Sequence, residues 1–177
     1  MAKPNADSIA YSTAALQAGD VQEALAIRNR EFNQDEGTFD ESMARTMKFI
    51  LTRTPQMLAD CAAEIVEPLR IAAAMMELWG TNTIRDFVTI DGEIDYRLDA
   101  QKIAFMLHAH GNFIRTLEDI RCSGISRVEL LRSANSQVCK DCRTLGGKSF
   151  LIDEVPELPL ANCRCKDGCT LSVTAAR

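Results

Sequence analysis

The sequence Cys139-Lys140-Asp141-Cys142 is followed, after twenty residues, by Cys163-Arg164-Cys165, and Cys169 lies four residues further on. A CxxC pair with a second cysteine pair at about this distance is typical of a site in which four thiolates bind one zinc ion. Zinc accepts soft sulfur ligands in a tetrahedral arrangement and has no redox chemistry of its own. The spacing therefore predicts a Zn²⁺ site formed by Cys139, Cys142, Cys163 and Cys165, with Cys169 competing for one of the four positions.

Disulfides are the alternative use for these thiols. The first residues, from Met1 to Asp7, contain no apolar run of the kind found in a secretory signal, so we expect a compartment that keeps thiols reduced. The chain has seven cysteines, an odd number, which leaves at least one thiol unpaired in a monomer. We therefore expect zinc and not disulfides. Because four sulfur ligands leave no open coordination position, the predicted site is structural and not catalytic.

The residues around the cysteines predict short strands and turns. Arg127–Arg132 reads as one strand, and residues 150–152 read as a second that packs on the helical part of the chain. Gly146 and Gly147 follow the first cysteine pair, where glycine lets the backbone turn back toward a metal. Residues 123–177 are poor in apolar side chains, so we expect them to form a Cys-rich tail that depends on zinc for its order. Residues 1–122 are the predicted helical body.

Several helix signals occur in the first third of that body. A short helix is predicted from Ser8 to Gln17, and Asp20 is the predicted N-cap of a helix from Val21 to Arg30. The sequence from Thr38 to Glu41 is a capping box. The apolar face of the helix that it opens is predicted to carry Met43, Met47, Ile50 and Leu51.

The longest apolar stretch extends from Thr54 to Trp79. Thr54 followed by Pro55 predicts the start of a helix, which Pro68 is expected to kink and Gly80 to end. Charged residues interrupt the stretch, which argues against a membrane span. We expect the central helix of a bundle, with Met75 and Met76 as core residues and Trp79 either in the core or at an interface.

A hairpin and a second long helix are predicted beyond Gly80. Phe87–Tyr96 alternates around Asp91-Gly92, which predicts a β-hairpin. The helix that follows contains Gly111, where a break could occur. Its apolar stripe, at steps of three and four residues, consists of Ile103, Met106, Leu107, His110, Phe113, Ile114 and Leu117. The chain is thus predicted to be mainly α: a helical bundle with a short β-hairpin and a small C-terminal zinc-clipped β/loop module.

Other reactive side chains favour a structural interpretation. Cys61 with His108 or His110 would provide a thiol and a base, but His110 lies on the apolar stripe, where a hydrogen-bonded core histidine is more common. Cys61 and Cys122 are expected to be small buried apolar residues. The chain has no P-loop, dinucleotide fingerprint or GxSxG element. We therefore predict no catalytic residues, no organic cofactor and no enzymatic activity.

The charge is distributed unevenly. The net charge is −5, with −8 on residues 1–120 and +3 on residues 121–177. An acidic body argues against nucleic acid as the main partner. A regulatory, zinc-ribbon-like nucleic-acid-binding module is the alternative that we keep open. It depends on the basic residues near the cysteines, which are Arg127, Arg132, Lys140, Arg143, Lys148, Arg164 and Lys166.

The cysteines also belong to a longer motif. Val138–Phe150 reads VCxxCxxLxGKxF and is followed by a proline-containing stretch and by Asn162-Cys163-Arg164-Cys165. This pattern, over about residues 127–166, resembles the C-terminal part of the phage Mu F-type head morphogenesis family, the minor head proteins. That family commonly has His-Pro before the last element, where this chain has Leu160-Ala161. If that histidine is functional in the family, its role is absent here or is taken by another group such as Cys169.

The resemblance implies a biological setting that composition and spacing do not reveal. It implies a structural protein of a phage or prophage, located in the virion or in the host cytoplasm and not secreted. Its partners would be portal or capsid subunits, with self-association left open. Function would then consist of protein–protein contact during head assembly.

Overall fold

The computed structural model describes residues 4–32, 41–80, 100–133, 138–165 and 168–176. These residues form a mainly helical protein with a small three-stranded antiparallel sheet, as the sequence predicts. The helices are α1 Ala6–Gln17, α2 Val21–Glu31, α3 Glu41–Thr52, α4 Ala63–Trp79, α5 Ala100–Cys122 and α6 Lys140–Leu145. The strands are β1 Arg127–Arg132, β2 Ser149–Leu151 and β3 Leu171–Ala175. The predicted hairpin at 87–96 lies outside the described residues.

Local capping explains where the first two helices begin and end. Asp20 accepts a hydrogen bond from the backbone N–H of Glu23 at 3.0 Å, which confirms its predicted role at the start of α2. Asn5 caps α1 in the same way, accepting from the N–H of Asp7 at 2.7 Å. Gly19, between the two helices, has a φ of +77°, a conformation that glycine adopts readily.

The apolar face of α3 is confirmed, although its predicted capping residue Thr38 lies outside the described residues. Met47 and Ile50 are buried, and Met43 and Leu51 pack partly buried against the same core. Helix α3 thus packs on the core of the body through the four predicted residues.

The predicted start of the next helix at Thr54 and Pro55 is wrong, because α4 begins at Ala63. Pro55 instead precedes a short 3-10 helix, Gln56–Leu58. The hydroxyl of Thr54 accepts a hydrogen bond from the buried guanidinium of Arg70. Arg70 also donates to the carbonyl oxygens of Ile50 and Arg53, at 2.7 Å each. Residues 53 and 54 are therefore held at the end of α3 and do not open α4.

Helix α4 is the centre of the body, packing against α1, α2, α3 and α5. It continues past Pro68 and ends at Gly80, whose φ is +88°. Met75 and Met76 are buried, as predicted. Trp79 is a core residue, with 3% of its surface exposed, and its indole N–H donates to the hydroxyl of Ser12 at 3.2 Å.

Helix α5 runs without a break through Gly111, where the sequence indicated a weak point. A Cβ atom at this position would lie 2.6 Å from Cγ1 of Ile50 and 3.1 Å from the carbonyl oxygen of Thr46. Glycine is therefore used for the close approach of α3 and α5 and not for a bend. Helix α5 ends at Cys122, and Gly124 turns the chain with a φ of +72°.

The sheet has the order β2-β1-β3, with β1 in the middle. Strands β1 and β2 confirm the predictions closely, whereas β3 was not predicted. One face of the sheet, including Val128 and Leu130, belongs to a second buried cluster. This cluster includes Phe113 and Ile120 from the second half of α5, so α5 contributes to the cores of both body and tail.

Candidate metal centre

The four predicted ligands come from two places in the tail. Cys139 is the residue before α6, and Cys142 lies in the first turn of that helix. Cys163 and Cys165 lie in the long connection between β2 and β3. A turn in which the N–H of Cys163 donates to the carbonyl oxygen of Leu160 at 2.9 Å precedes the second pair. The two pairs thus come from two separate segments of the tail.

The structure brings the sulfur atoms of Cys139, Cys142, Cys163 and Cys165 within 4.8 Å of one another. The Sγ atoms of Cys142 and Cys163 are 3.6 Å apart. Four sulfurs bound tetrahedrally to one zinc ion at about 2.3 Å would be separated by about 3.8 Å. This donor set therefore fits a tetrahedral metal ion. No disulfide bond joins any two of the seven cysteines, all of which lie within the described residues.

Cys169 lies next to the group without being part of it. Its Sγ atom is 3.8 Å from that of Cys142, and 5% of the residue is exposed. The group in which every sulfur is within 4.8 Å of every other contains the four predicted cysteines. The predicted competitor therefore lies beside two of the four predicted ligands, Cys142 and Cys163.

Backbone N–H groups surround the sulfurs. The N–H of Cys139 points to Sγ of Cys165, with a nitrogen–sulfur distance of 3.3 Å. Burial opposes ionisation of the Cys139 thiol, but the N–H groups of Cys142 and Arg164 and the thiol of Cys165 outweigh it and lower the pKa of Cys139 to about 6. Donors directed at sulfur favour the thiolate, which is the form that binds metal.

The buried thiols lie close enough to affect one another's ionisation. Burial, with the neighbouring Cys163, raises the pKa of Cys142. A hydrogen bond with Cys169, followed by burial, raises the pKa of Cys163, and the same hydrogen bond lowers the pKa of Cys169. Burial raises the pKa of Cys165. Sulfurs this close cannot all be thiolates unless a positive charge lies between them.

The position of α6 is fixed by the glycines that follow it. The N–H of Gly147 donates to the carbonyl oxygen of Leu130 at 2.7 Å, and its φ is +84°. A Cβ atom at Gly146 would lie 3.1 Å from Cβ of Arg132. The predicted turn after the first cysteine pair is thus confirmed, and it holds α6 against β1.

Two contacts connect the loop before Cys163 to the body. Nδ1 of the buried His110 is 2.8 Å from the carbonyl oxygen of Leu158, which confirms the prediction of a hydrogen-bonded core histidine. Glu157 accepts a hydrogen bond from the N–H of Gln56 at 2.6 Å. The helical body therefore holds the loop that carries the second cysteine pair at two adjacent residues, Glu157 and Leu158.

The remaining candidate residues have other surroundings. His108 bonds to Glu77, with 2.7 Å between Nε2 and Oε2, so it faces a different partner from His110. Cys61 packs half-buried against the body core. The prediction that Cys122 is buried is wrong, because this last residue of α5 lies on the solvent side of the helix. Among the described residues, the four cysteines are the group with metal-ligand geometry.

The sequence did not indicate a groove of about 650 Å³ beside the cysteines, between α5 and β3. Its walls include Phe105, Asn112 and Cys169. A Cβ atom at Gly168, which has a φ of +95°, would lie 2.7 Å from Cδ1 of Phe105. In the sequence, the glycine before Cys169 is the feature that could have indicated a close approach of α5 to this cysteine.

No family model, curated protein or solved structure matches the chain. Within the described ranges, no helix has both the length and the apolar character needed to cross a membrane.

Proposed function

We propose that the chain is a structural protein whose C-terminal segment is ordered by one zinc ion bound to Cys139, Cys142, Cys163 and Cys165. The supporting observation is the convergence of these four sulfurs within 4.8 Å. A zinc ion with four thiolate ligands cross-links the chain and has no position left for a reacting water. The proposed role of the metal is therefore architectural, and the proposed role of the protein is structural and not enzymatic.

Elemental analysis of the purified protein tests the metal. We expect about one zinc per chain, with four sulfur neighbours in the X-ray absorption spectrum. Replacing Cys142 with Ser should abolish binding, whereas replacing the exposed Cys122 with Ser is the matched control and should leave the zinc content unchanged. A metal with oxygen ligands, or none at all, contradicts the proposed site.

The biological part of the proposal is assembly of a phage head through contacts with portal or capsid subunits. The resemblance of residues 127–166 to the minor head proteins supports it. Among the described residues, the sheet face opposite Val128 and Leu130 offers a suitable contact surface, because Leu131 and Leu151 lie on it and are each 43% exposed.

Co-expression with phage portal and major capsid proteins tests the partner. We expect the chain to co-purify with one of them and to be present in assembled particles. Changing Leu131 and Leu151 together to Ser should weaken co-purification, whereas Tyr11→Ser, at a body residue that is 66% exposed, should not. Particles that assemble without the chain contradict the proposal.

Nucleic-acid binding by the tail is a second candidate, supported by one observation. The described basic residues around the cysteines are exposed, namely Arg127, Arg132, Lys140, Arg143, Lys148 and Arg164. Such binding would weaken steeply with added salt, because it releases counterions. A gel-shift assay with duplex DNA and RNA at low salt tests it, and an unshifted probe removes this candidate.

A further inference from the structure

The fifth thiol of the C-terminal cluster lies within reach of a proposed zinc ligand. The Sγ atoms of Cys169 and Cys142 are 3.8 Å apart, and they belong to different segments of the tail. A disulfide has an S–S bond of about 2.05 Å, so the two atoms need to approach by less than about 2 Å. Cys169 is therefore placed to form a covalent bond with Cys142.

The groove beside α5 gives small molecules a route to this thiol. Cys169 forms part of the wall of the groove, together with Phe105 and Asn112. Cys142 has 0% exposed surface, whereas 5% of Cys169 is exposed. A small oxidant that enters the groove thus meets Cys169. A thiol that lines a groove and lies next to a second thiol can act as a redox-sensitive cysteine, because the second thiol can resolve the oxidised sulfur as a disulfide.

We propose that Cys169 and Cys142 form a redox switch in which a peroxide converts the two thiols to a disulfide and thereby releases the zinc ion. This inference rests on the proposed function, because it takes Cys142 as a zinc ligand and Cys169 as an unliganded thiol. The disulfide would leave three of the four ligands, Cys139, Cys163 and Cys165, which bind zinc less tightly than four.

The reaction has two steps. The thiolate sulfur of Cys169 attacks one oxygen of the peroxide, the O–O bond breaks, and the departing oxygen takes up a proton and leaves as water. Cys169 is then a sulfenic acid. The sulfur of Cys142 attacks the Cys169 sulfur, the S–O bond breaks, and a second water departs after protonation. Cys142, which would hold the zinc ion, would then no longer be available as a ligand. Two thiols have lost two electrons, and one peroxide has been reduced to two waters. A dithiol reductant reverses the change by thiol–disulfide exchange.

The sequence makes the product easy to identify. Trypsin cuts after Lys140, Arg143, Arg164 and Lys166, so each of the five cysteines of the cluster lies in its own peptide. Zinc-loaded full-length protein would be treated with hydrogen peroxide in the absence of reductant. Zinc release would be followed with a chromogenic chelator, and disulfide-linked peptides would be identified by mass spectrometry. We expect loss of about one zinc per chain together with a link between the peptides that contain Cys142 and Cys169. Dithiothreitol and added zinc should restore the starting state.

Two variants make the test specific. The Cys169→Ser protein should contain as much zinc as the wild type. It should release zinc at least about tenfold more slowly under peroxide, because it lacks the thiol that is oxidised first and then forms the disulfide with Cys142. Cys122→Ser, which removes the exposed thiol at the end of α5, should respond like the wild type.

Each contrary result has its own meaning. No zinc in the untreated wild type overturns the proposed metal site and the switch with it. Zinc in the wild type, combined with a peroxide product that joins other cysteines, overturns the switch alone. A Cys169→Ser protein that is purified without zinc, or that loses zinc as fast as the wild type, also overturns the switch. If Cys169→Ser does not fold, the peptide map of the wild-type protein decides the matter.

Discussion

The helical body and the tail bury their residues by different means. In the body, α1 to α4 and the first half of α5 enclose aliphatic side chains, methionines and Trp79. In the second cluster, which joins the tail to the second half of α5, four of the thirteen buried residues are cysteines, so sulfur makes up an unusually large share of that small core. Apolar burial alone can stabilise a body of this size, whereas a small module gains most from a metal. The two regions should therefore respond differently to the same perturbation.

Removal of the metal should separate the two regions most clearly. Binding of zinc by four thiolates contributes on the order of 10 kcal/mol to the folding of such modules. We expect a chelator, with reductant present, to increase amide hydrogen exchange in β1, α6 and β3 while α1 to α4 keep their protection. Cys163→Ser should have the same effect without chelator. Equal protection of the tail with and without metal would show that its apolar residues suffice.

The converse perturbation is Arg70→Met in the body. It removes the guanidinium that donates to the carbonyl oxygens of Ile50 and Arg53 and leaves both acceptors short of a donor. We expect a loss of about 2–3 kcal/mol in the free energy of unfolding, with unchanged zinc content. Glu67→Gln is the matched control, because Glu67 bonds to the same guanidinium but is 63% exposed. Denaturant titration measures the stability, and a lower zinc content in Arg70→Met would show that the regions are not separable.

Coupling between the regions can be measured at His110. His110→Leu replaces the imidazole with an apolar side chain of similar size and removes the hydrogen bond to the carbonyl oxygen of Leu158 in the tail. We expect a loss of about 1–3 kcal/mol, because a buried acceptor loses its partner. The loop of Cys163 should also lose hydrogen-exchange protection. His110→Asn retains a donor and should lose less. A stability change confined to the body would contradict this coupling.

The smallest effect is expected for the surface contact between α5 and the tail. Arg121 donates to Asp153 at 2.7 Å, and both side chains are more than half exposed. Arg121→Ala should change the free energy of unfolding by less than about 1 kcal/mol, because exposed ion pairs are screened by water and salt. A larger change, measured by thermal unfolding, would mean that the two regions are joined by surface charge as well as by packing.

Features encoded by neighbouring residues could be predicted from the sequence. Asp20 and Gly80 mark helix ends through bonds and φ angles that involve the adjacent backbone. The two cysteine pairs could be identified in the same way, because zinc-ligand spacing is short within each pair. The position of Cys169 next to the group could not be fixed, since it depends on how the loop folds back.

Features that depend on distant partners could not be predicted. The start of α4 was misplaced because Thr54 bonds to Arg70, sixteen residues away. Strand β3 exists through its pairing with β1, about forty residues earlier in the chain. Gly111 was interpreted as a possible helix break. Its actual role is to leave room for α3, which is distant in sequence. In each case the deciding contact is remote in sequence, so no local pattern carries it.

Gly111 is also the central residue of α5, with eleven helical residues on either side of it. It therefore stands between the two cores, at the position where a helix is intrinsically easiest to bend. Ile50 of α3 lies against Gly111, so α3 restricts bending of α5 at this point. A change that stabilises or destabilises α3 should therefore alter how easily α5 bends, and with it the position of the cysteine-containing tail relative to the body.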